Sequence, residues 1–258
     1  MKDKLSDISR RMTGTILLLP LMVLFLSGEP YSKITVLICV AFMVMEYSFL
    51  ATKNINLRII LMTIIGCFGS TSLFLHGPIY HLVFLVILLL LLIKFFSYGT
   101  IIMGIFLAML LYSIGNLSHN ESFQEIMTFI VFTVISVDIG AYIIGRSVGG
   151  PKLIPLISPA KTISGAIGGL VGGTTAGIGI FFVLNFQITF WLFLLTLFVA
   201  VLAQLGDITA SFFKRSIDTK DSAKTIPGHG GFLDRMDSFI FVFFFFITFD
   251  IHTLMFHV

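Results

Sequence analysis

The densest chemistry in this chain lies in one run, GDITASFFKRSIDTKDSAKTIPGHGGFLDRMDS, from Gly206 to Ser238. The run supplies carboxylates at Asp207, Asp218, Asp221, Asp234 and Asp237, bases at Lys214, Arg215, Lys220, Lys224 and Arg235, and His229 beside a cluster of glycines. Carboxylates suit a hard divalent cation such as Mg2+, which takes oxygen ligands and keeps several waters. Basic side chains and free backbone N–H groups suit phosphate oxygens. Acids, bases and glycines together therefore point to a bound polyphosphate with its metal. A single phosphate would not need so many groups.

Each part also has a plainer reading. Asp207 follows the apolar run Ile188 to Leu205. An ionised carboxylate at that depth costs several kcal/mol unless a base or a metal answers it. Helical spacing puts Asp207, Ser211 and Lys214 or Arg215 on one face. Pro227-Gly228-His229-Gly230-Gly231 breaks any helix and reads as a tight loop whose amides can face phosphate. It lacks the Gly-Lys-Ser/Thr ending of a P-loop, and alone it is an ordinary turn. Asp234 and Asp237 share a helix face at the mouth of the last apolar span, as paired ligands or as acids favoured by a helix start. Two earlier stretches add polar groups: Ser136 to Tyr142 with Asp138, Gly140 and Ala141, and Ser158-Pro159-Ala160-Lys161-Thr162, which is expected to open a span.

The elements that position these groups are membrane spans. The 258 residues are 57% hydrophobic and 11% charged, and a soluble domain carries roughly 25% charged residues. Apolar runs recur at 12–28, 34–51, 57–75, 79–96, 98–115, 124–145, 162–184, 188–210 and 238–257, each near the ~20 residues a helix needs to cross the bilayer. The alternation of a membrane barrel is absent. The fold class is all-α integral membrane: a polytopic helical bundle of about nine transmembrane helices. Thr13 to Leu26 ends in no small-residue cleavage site and reads as part of the first span. Cys39 and Cys67 fall in apolar runs and read as small buried residues. Residues 1–120 form N-terminal transmembrane helices, and 121–258 form a C-terminal catalytic region.

With a cytosolic N-terminus, 15 of the 16 Lys and Arg residues fall in cytosolic segments and only Lys33 falls outside. The positive-inside rule then gives N-in, C-out, with the motifs facing the cytosol. Gly165, Gly169, Gly173 and Gly177 make a smooth helix stripe. It can seat the catalytic helices, serve ordinary bundle packing, or meet a second subunit, which leaves a homodimer open.

The pattern Ser211-x-x-Lys214-Arg215-x4-Lys220-Asp221, followed by Pro227-x-His229-Gly230-Gly231-x-x-Asp234-Arg235-x-Asp237, resembles the signature of phosphatidate cytidylyltransferases. Ser136-x-Asp138-x-Gly140-Ala141-Tyr142 and Ser158-Pro159-x-Lys161-Thr162 resemble the upstream motifs of the same family. The resemblance covers about residues 136–238; residues 1–120 match only as generic spans. It implies that CTP and phosphatidic acid give CDP-diacylglycerol and pyrophosphate at a bacterial-type inner membrane. It implies Mg2+, with room for a second cation, at the Asp207 and Asp234 positions, with Asp138 and Asp237 nearby. Asp207, Asp234, Lys214, Arg215, His229 and Arg235 become the expected catalytic set. Lys161, Thr162, Ser211, Lys220, Asp221, Gly230 and Gly231 become the expected substrate contacts. Members commonly carry an acid two residues after the Lys-Thr pair, where this chain has Ser164.

A CTP-dependent polyprenol or other lipid kinase is the alternative within enzymes, and the full signature favours the transferase. An ion-coupled transporter would use Glu46, Asp138, Asp207 and Asp250 near the midplane of symmetric halves. The polar groups instead crowd one half of the chain, and Glu46 and Asp250, outside the motifs, read as structural or interfacial. Nothing calls for a nucleic-acid partner.

Asp207→Asn and Asp234→Asn are each expected to abolish turnover while the protein still inserts, because Asn keeps size but loses the charge that holds a hard cation. In a double-mutant comparison the two losses should not multiply. Near-normal turnover of Asp207→Asn at ordinary Mg2+ would instead make Asp207 a structural partner of a basic side chain.

Overall fold

The computed structural model describes residues 20–28, 30–74, 101, 104, 105, 107, 108, 112, 120–219, 221–223, 225, 226 and 230–248. Its helices are α1 (Tyr31–Ala51), α2 (Ile55–Phe74), α3 (Phe123–Val148), α4 (Ile163–Val183), α5 (Phe190–Ser216) and α6 (Leu233–Thr248). Between α3 and α4 lie two strands, β1 (Lys152–Ile154) and β2 (Ser158–Thr162). α1, α3, α4 and α5 are long and apolar enough to cross a membrane. The chain is thus a mostly helical, membrane-integral protein.

The expected spans at 34–51, 57–75, 124–145, 162–184 and 188–210 fall on α1 to α5 in order. The span at 12–28 is described only from residue 20, and that at 238–257 only to 248, on α6. The span at 79–96, most of that at 98–115, and the motif residues Lys220 and His229 lie outside the described residues.

The helix ends follow from local chemistry. Asn54 Oδ1 accepts from the amides of Asn56 and Leu57 and starts α2. α3 stops at Gly149, whose φ of +67° suits a residue without Cβ. Thr162 caps α4 by accepting the Gly165 amide at 3.1 Å. At 1.5 Å per residue, α4 measures about 31 Å and α5 about 40 Å, against a hydrocarbon core of about 30 Å. The extra turns of α5 are its polar ones, ending in Lys214 and Arg215.

The all-α expectation needs one correction. Ser158–Thr162 does not open a helix; it pairs antiparallel with β1, Lys152 opposite Thr162 and Ile154 opposite Ser158. Pro159 cannot donate to a helix, and it forces the preceding residue toward extended backbone. The next helix therefore waits for Thr162.

The chain divides into two compact units. The first comprises residues 1–119 and 216–236, where α1 and α2 pack on each other. The second comprises residues 120–215 and 237–258, with α3, the hairpin, α4, α5 and most of α6. Its apolar core includes Phe129, stacked on Phe181 at 4.6 Å and tilted against Phe246 at 6.2 Å.

Orientation can be read at the hairpin tip. Ser222 falls in an expected cytosolic segment but is buried, whereas Leu156 is 97% exposed. In sealed vesicles, Leu156→Cys should react with an impermeant thiol reagent only from the cytosolic side, and Ser118→Cys only from the outer side. Labelling of both from one side would overturn the N-in, C-out assignment.

Candidate active site

The second unit contains a cavity of about 410 Å3 built from all the upstream motifs. α3 contributes Asp138, Ala141, Tyr142, Gly145 and Arg146; β2 contributes Lys161 and Thr162; α4 contributes Gly165 and Ala166; α5 contributes Gln204, Asp207 and Ile208. Residues far apart in sequence thus converge on one space.

Missing side chains make that convergence possible. A Cβ on Gly140 would lie 2.5 Å from the Gly168 carbonyl oxygen, and one on Gly172 would lie 2.9 Å from that of Ser136. Gly145 and Gly165 face each other equally closely: a Cβ on either would come 3.2 Å from the Cα of the other. α4 also meets α5, where a Cβ on Gly169 would come 2.7 Å from Gln204 Nε2 and one on Gly177 2.8 Å from Thr196 Cγ2. The glycine stripe is therefore filled by α3 and α5 of the same chain. Gln204 Nε2 donates to the Ala166 carbonyl at 2.8 Å and pins α5 to α4 one turn before Asp207.

Asp207 finds a basic partner. Lys161 Nζ lies 2.7 Å from Asp207 Oδ2, with the side chains 26% and 32% exposed. The ammonium itself is shielded from solvent and makes no hydrogen bond among the described residues. The contact with Asp207 is thus a close ion pair at the cavity wall. A second pair lies deeper: Lys214 donates to Asp237 Oδ2 at 3.0 Å, with both side chains about nine-tenths buried. Gly206 lets the α6 backbone pass, since a Cβ there would lie 2.8 Å from the Asp237 carbonyl oxygen. The like charges of Asp207 and Asp138 both act on Asp237.

The remaining motif residues of this unit divide by role. Thr162 is occupied as the α4 cap, and Ser164 donates to the Gly149 carbonyl, joining the end of α3 to the start of α4. Arg215 donates to the Ile157 carbonyl at 3.3 Å. Ser211 lies half-buried on α5. Tyr142 and Arg146 join the cavity as an interacting pair, Arg146 Nη1 donating to the Tyr142 hydroxyl at 2.6 Å. In sequence, Arg146 is merely one cytosolic base, and Gln204 is one polar residue in an apolar run. The signal for Gln204 was its place one turn before Asp207.

In the first unit, Asp234 accepts the Ser222 amide on both oxygens, at 3.0 and 2.8 Å, and the Gly231 amide at 2.9 Å. Gly230 has φ +82°, and its carbonyl accepts the Ile226 amide at 2.9 Å, closing the loop neck. Asp221 and Arg235 are exposed. Glu46 on α1, set aside as structural, is 1% exposed and accepts from Ser222, Thr225, Phe232 and Leu233. It is structural, but the structure it holds is the signature segment.

The donor chemistry fits a hard cation. Asp138 and Asp207 line one cavity and each acts on Asp237, and Mg2+ is commonly held by one or two carboxylates with waters and substrate phosphates. No compact group of three His, Cys, Asp or Glu residues occurs among the described residues, so such a cation would rely on those waters and phosphates.

The chain is similar to known proteins. The model of the cytidylyltransferase family matches residues 8–252. A phosphatidate cytidylyltransferase of Staphylococcus haemolyticus (strain JCSC1435) is 48% identical over 106 residues, 41% of this chain and 41% of that protein. One of Staphylococcus saprophyticus subsp. saprophyticus is 41% identical over 133 residues, and one of Staphylococcus aureus (strain COL) 39% identical over 133 residues. In those two the matched region covers 50% of this chain and 51% of the relative. The chain thus spans about half the length of these curated relatives, or less.

The packing of α3 on α4 should tolerate no added methyl at its tightest point. Gly140→Ala is expected to lower the thermal midpoint of the purified protein and to reduce activity. Gly179→Ala, where a Cβ meets nothing within 4 Å, should be neutral or stabilising by up to about 1 kcal/mol. Equal midpoints for the two variants would refute the close-packing account.

Proposed function

This chain belongs to the cytidylyltransferase family, and on that footing we propose that it transfers CMP from CTP to phosphatidic acid. The products are CDP-diacylglycerol, a phospholipid precursor, and pyrophosphate. Support comes from the cavity itself, where the Lys161–Asp207 ion pair, Asp138 and Arg146 line one space. The named relatives are phosphatidate cytidylyltransferases over the part they share. The proposal includes nine spans, N-in topology and a bacterial inner-membrane location with the site facing the cytosol, where lipid headgroup and soluble nucleotide can meet.

The reaction asks little proton chemistry of the protein. A phosphate monoester has a second pKa near 6, so phosphatidate is largely a dianion at neutral pH. One of its oxygens attacks the α-phosphorus of CTP, a new P–O bond forms, and the bond to the β-phosphate oxygen breaks, releasing pyrophosphate. Catalysis is then positioning and charge neutralisation. Lys161 and Arg146 would grip phosphate oxygens at the cavity, and Gln204 fixes the helix that carries Asp207. Lys214, tied to Asp237, holds that acid in place while balancing its charge. Arg215, Lys220 and Arg235 are further basic groups for the polyphosphate, and His229 belongs to the same signature.

Mg2+ completes the proposal and supplies charge neutralisation on the triphosphate when bound. Asp207 and Asp138 would hold it, with Asp237 beside them. Asp234, which accepts the Ser222 and Gly231 amides, belongs to the same proposed metal set through the signature.

Purified protein given CTP, phosphatidic acid and Mg2+ should form pyrophosphate and CDP-diacylglycerol in equal amounts, and EDTA should stop both. Lys161→Met should lower kcat/KM by about two orders of magnitude, the scale of a lost charge-stabilising donor. Release of CDP with phosphorylated lipid would establish a kinase instead, and EDTA-resistant turnover would remove the metal.

A further inference from the structure

We infer that Glu46, on the membrane helix α1, is a positioning residue that clamps the signature segment into one frame around Asp234 and Arg235. The clamp stands on geometry alone; its link to turnover rests on the transferase reading above.

Glu46 sits in an apolar helix and is 1% exposed. A carboxylate so placed is strongly unfavourable unless its lone pairs are satisfied. Glu46 Oε1 accepts the Phe232 amide at 2.7 Å and the Thr225 hydroxyl. Its Oε2 accepts the Leu233 amide at 2.8 Å and the Ser222 hydroxyl at 3.0 Å. These four bonds use about the full capacity of an ionised carboxylate. An amide in its place could accept on one atom only and would turn a donor toward donors.

The partners decide what is being held. The amides of Phe232 and Leu233 lie at the start of α6, where helix N–H groups have no partner of their own. Glu46 thus caps that helix from another segment, with its negative charge at the favourable end of the dipole. Ser222 is gripped twice, its hydroxyl by Glu46 and its amide by Asp234. Gly231 passes between them: a Cβ there would strike both Ser222 Oγ and Glu46 Oε2. Phe42, one turn before Glu46, packs on the Phe232 ring at 5.9 Å. One buried acid therefore fixes both strands of the loop and the helix start that carries Asp234 and Arg235. An error of about 1 Å in placing such groups can cost on the order of a hundredfold in rate.

The test uses full-length protein in lipid nanodiscs with Glu46→Gln and the charge-retaining, shorter Glu46→Asp. Amide hydrogen exchange is followed at 221–223 and 231–233, with α4 as the internal standard. Glu46→Gln should speed exchange at Ser222, Phe232 and Leu233 by at least about tenfold and leave α4 unchanged. It should lower kcat by about tenfold or more, with KM for CTP within about twofold. Glu46→Asp should recover part of the lost kcat. Unchanged exchange at those amides, wild-type kcat in Glu46→Gln, or protection lost equally in α4 would each overturn the inference. A wild-type protein that makes no CDP-diacylglycerol would sink the transferase reading alone, because the exchange comparison still decides the clamp.

Discussion

Everything in the second unit depends on how closely α3 and α5 can approach α4. An ordinary helix keeps its neighbours at 8–10 Å. The glycines of α4 remove the side chains that set this spacing, and Gly140 and Gly145 do the same on α3. In a bilayer no hydrophobic force draws helices together, so close backbone packing is itself the adhesive. The polar residues of two apolar helices can then share one cavity. Asp138 and Asp207 reach the same space because nothing stands in the way.

That closeness creates an electrostatic problem. Asp138 and Asp207 both act on Asp237 with like charge. The structure answers two of them with lysines, Lys161 for Asp207 and Lys214 for Asp237. The two pairs are not equivalent. Lys214 and Asp237 are nearly closed to solvent and joined by a hydrogen bond, an arrangement costly to break because either partner would leave a buried charge. Lys161 and Asp207 are partly open to solvent. In the proposed reaction a polyphosphate would take Lys161 while a cation would take Asp207, so the charges would be exchanged for other partners instead of being stripped. The closed pair holds the frame, and the open pair is the one the proposed reaction would use.

Much of this was legible in the sequence because membrane burial makes polar residues conspicuous. Asp138 and Asp207 stand out at depth, and the small residues of α4 repeat at helical spacing. What stayed hidden depends on distant pairings. Asp207 clearly needed either a metal or a base, but Lys161 lies 46 residues away and only the folded chain selects it. Glu46 was recognisable as a buried acid; its partner Ser222 lies 176 residues further on, and no local pattern joins them. The β1–β2 hairpin escaped notice because three- and five-residue strands carry too short a pattern to read, although Pro159 already argued against a helix there.

The two isolated acids show the same physics put to different ends. Glu46 has four neutral donors aimed at it and no exposure, so its charge is fully committed and it can only hold. Asp207 pairs with Lys161 and its side chain is 32% exposed, so it is far less enclosed than Glu46. In a low-dielectric setting the unsatisfied part of a charge is what makes a ligand bind tightly. A carboxylate that stabilises the fold must therefore be saturated, and one that meets a substrate's metal must not be. That contrast is why the proposed reaction assigns its metal to Asp207, whereas Glu46 is the acid that keeps its own surroundings still.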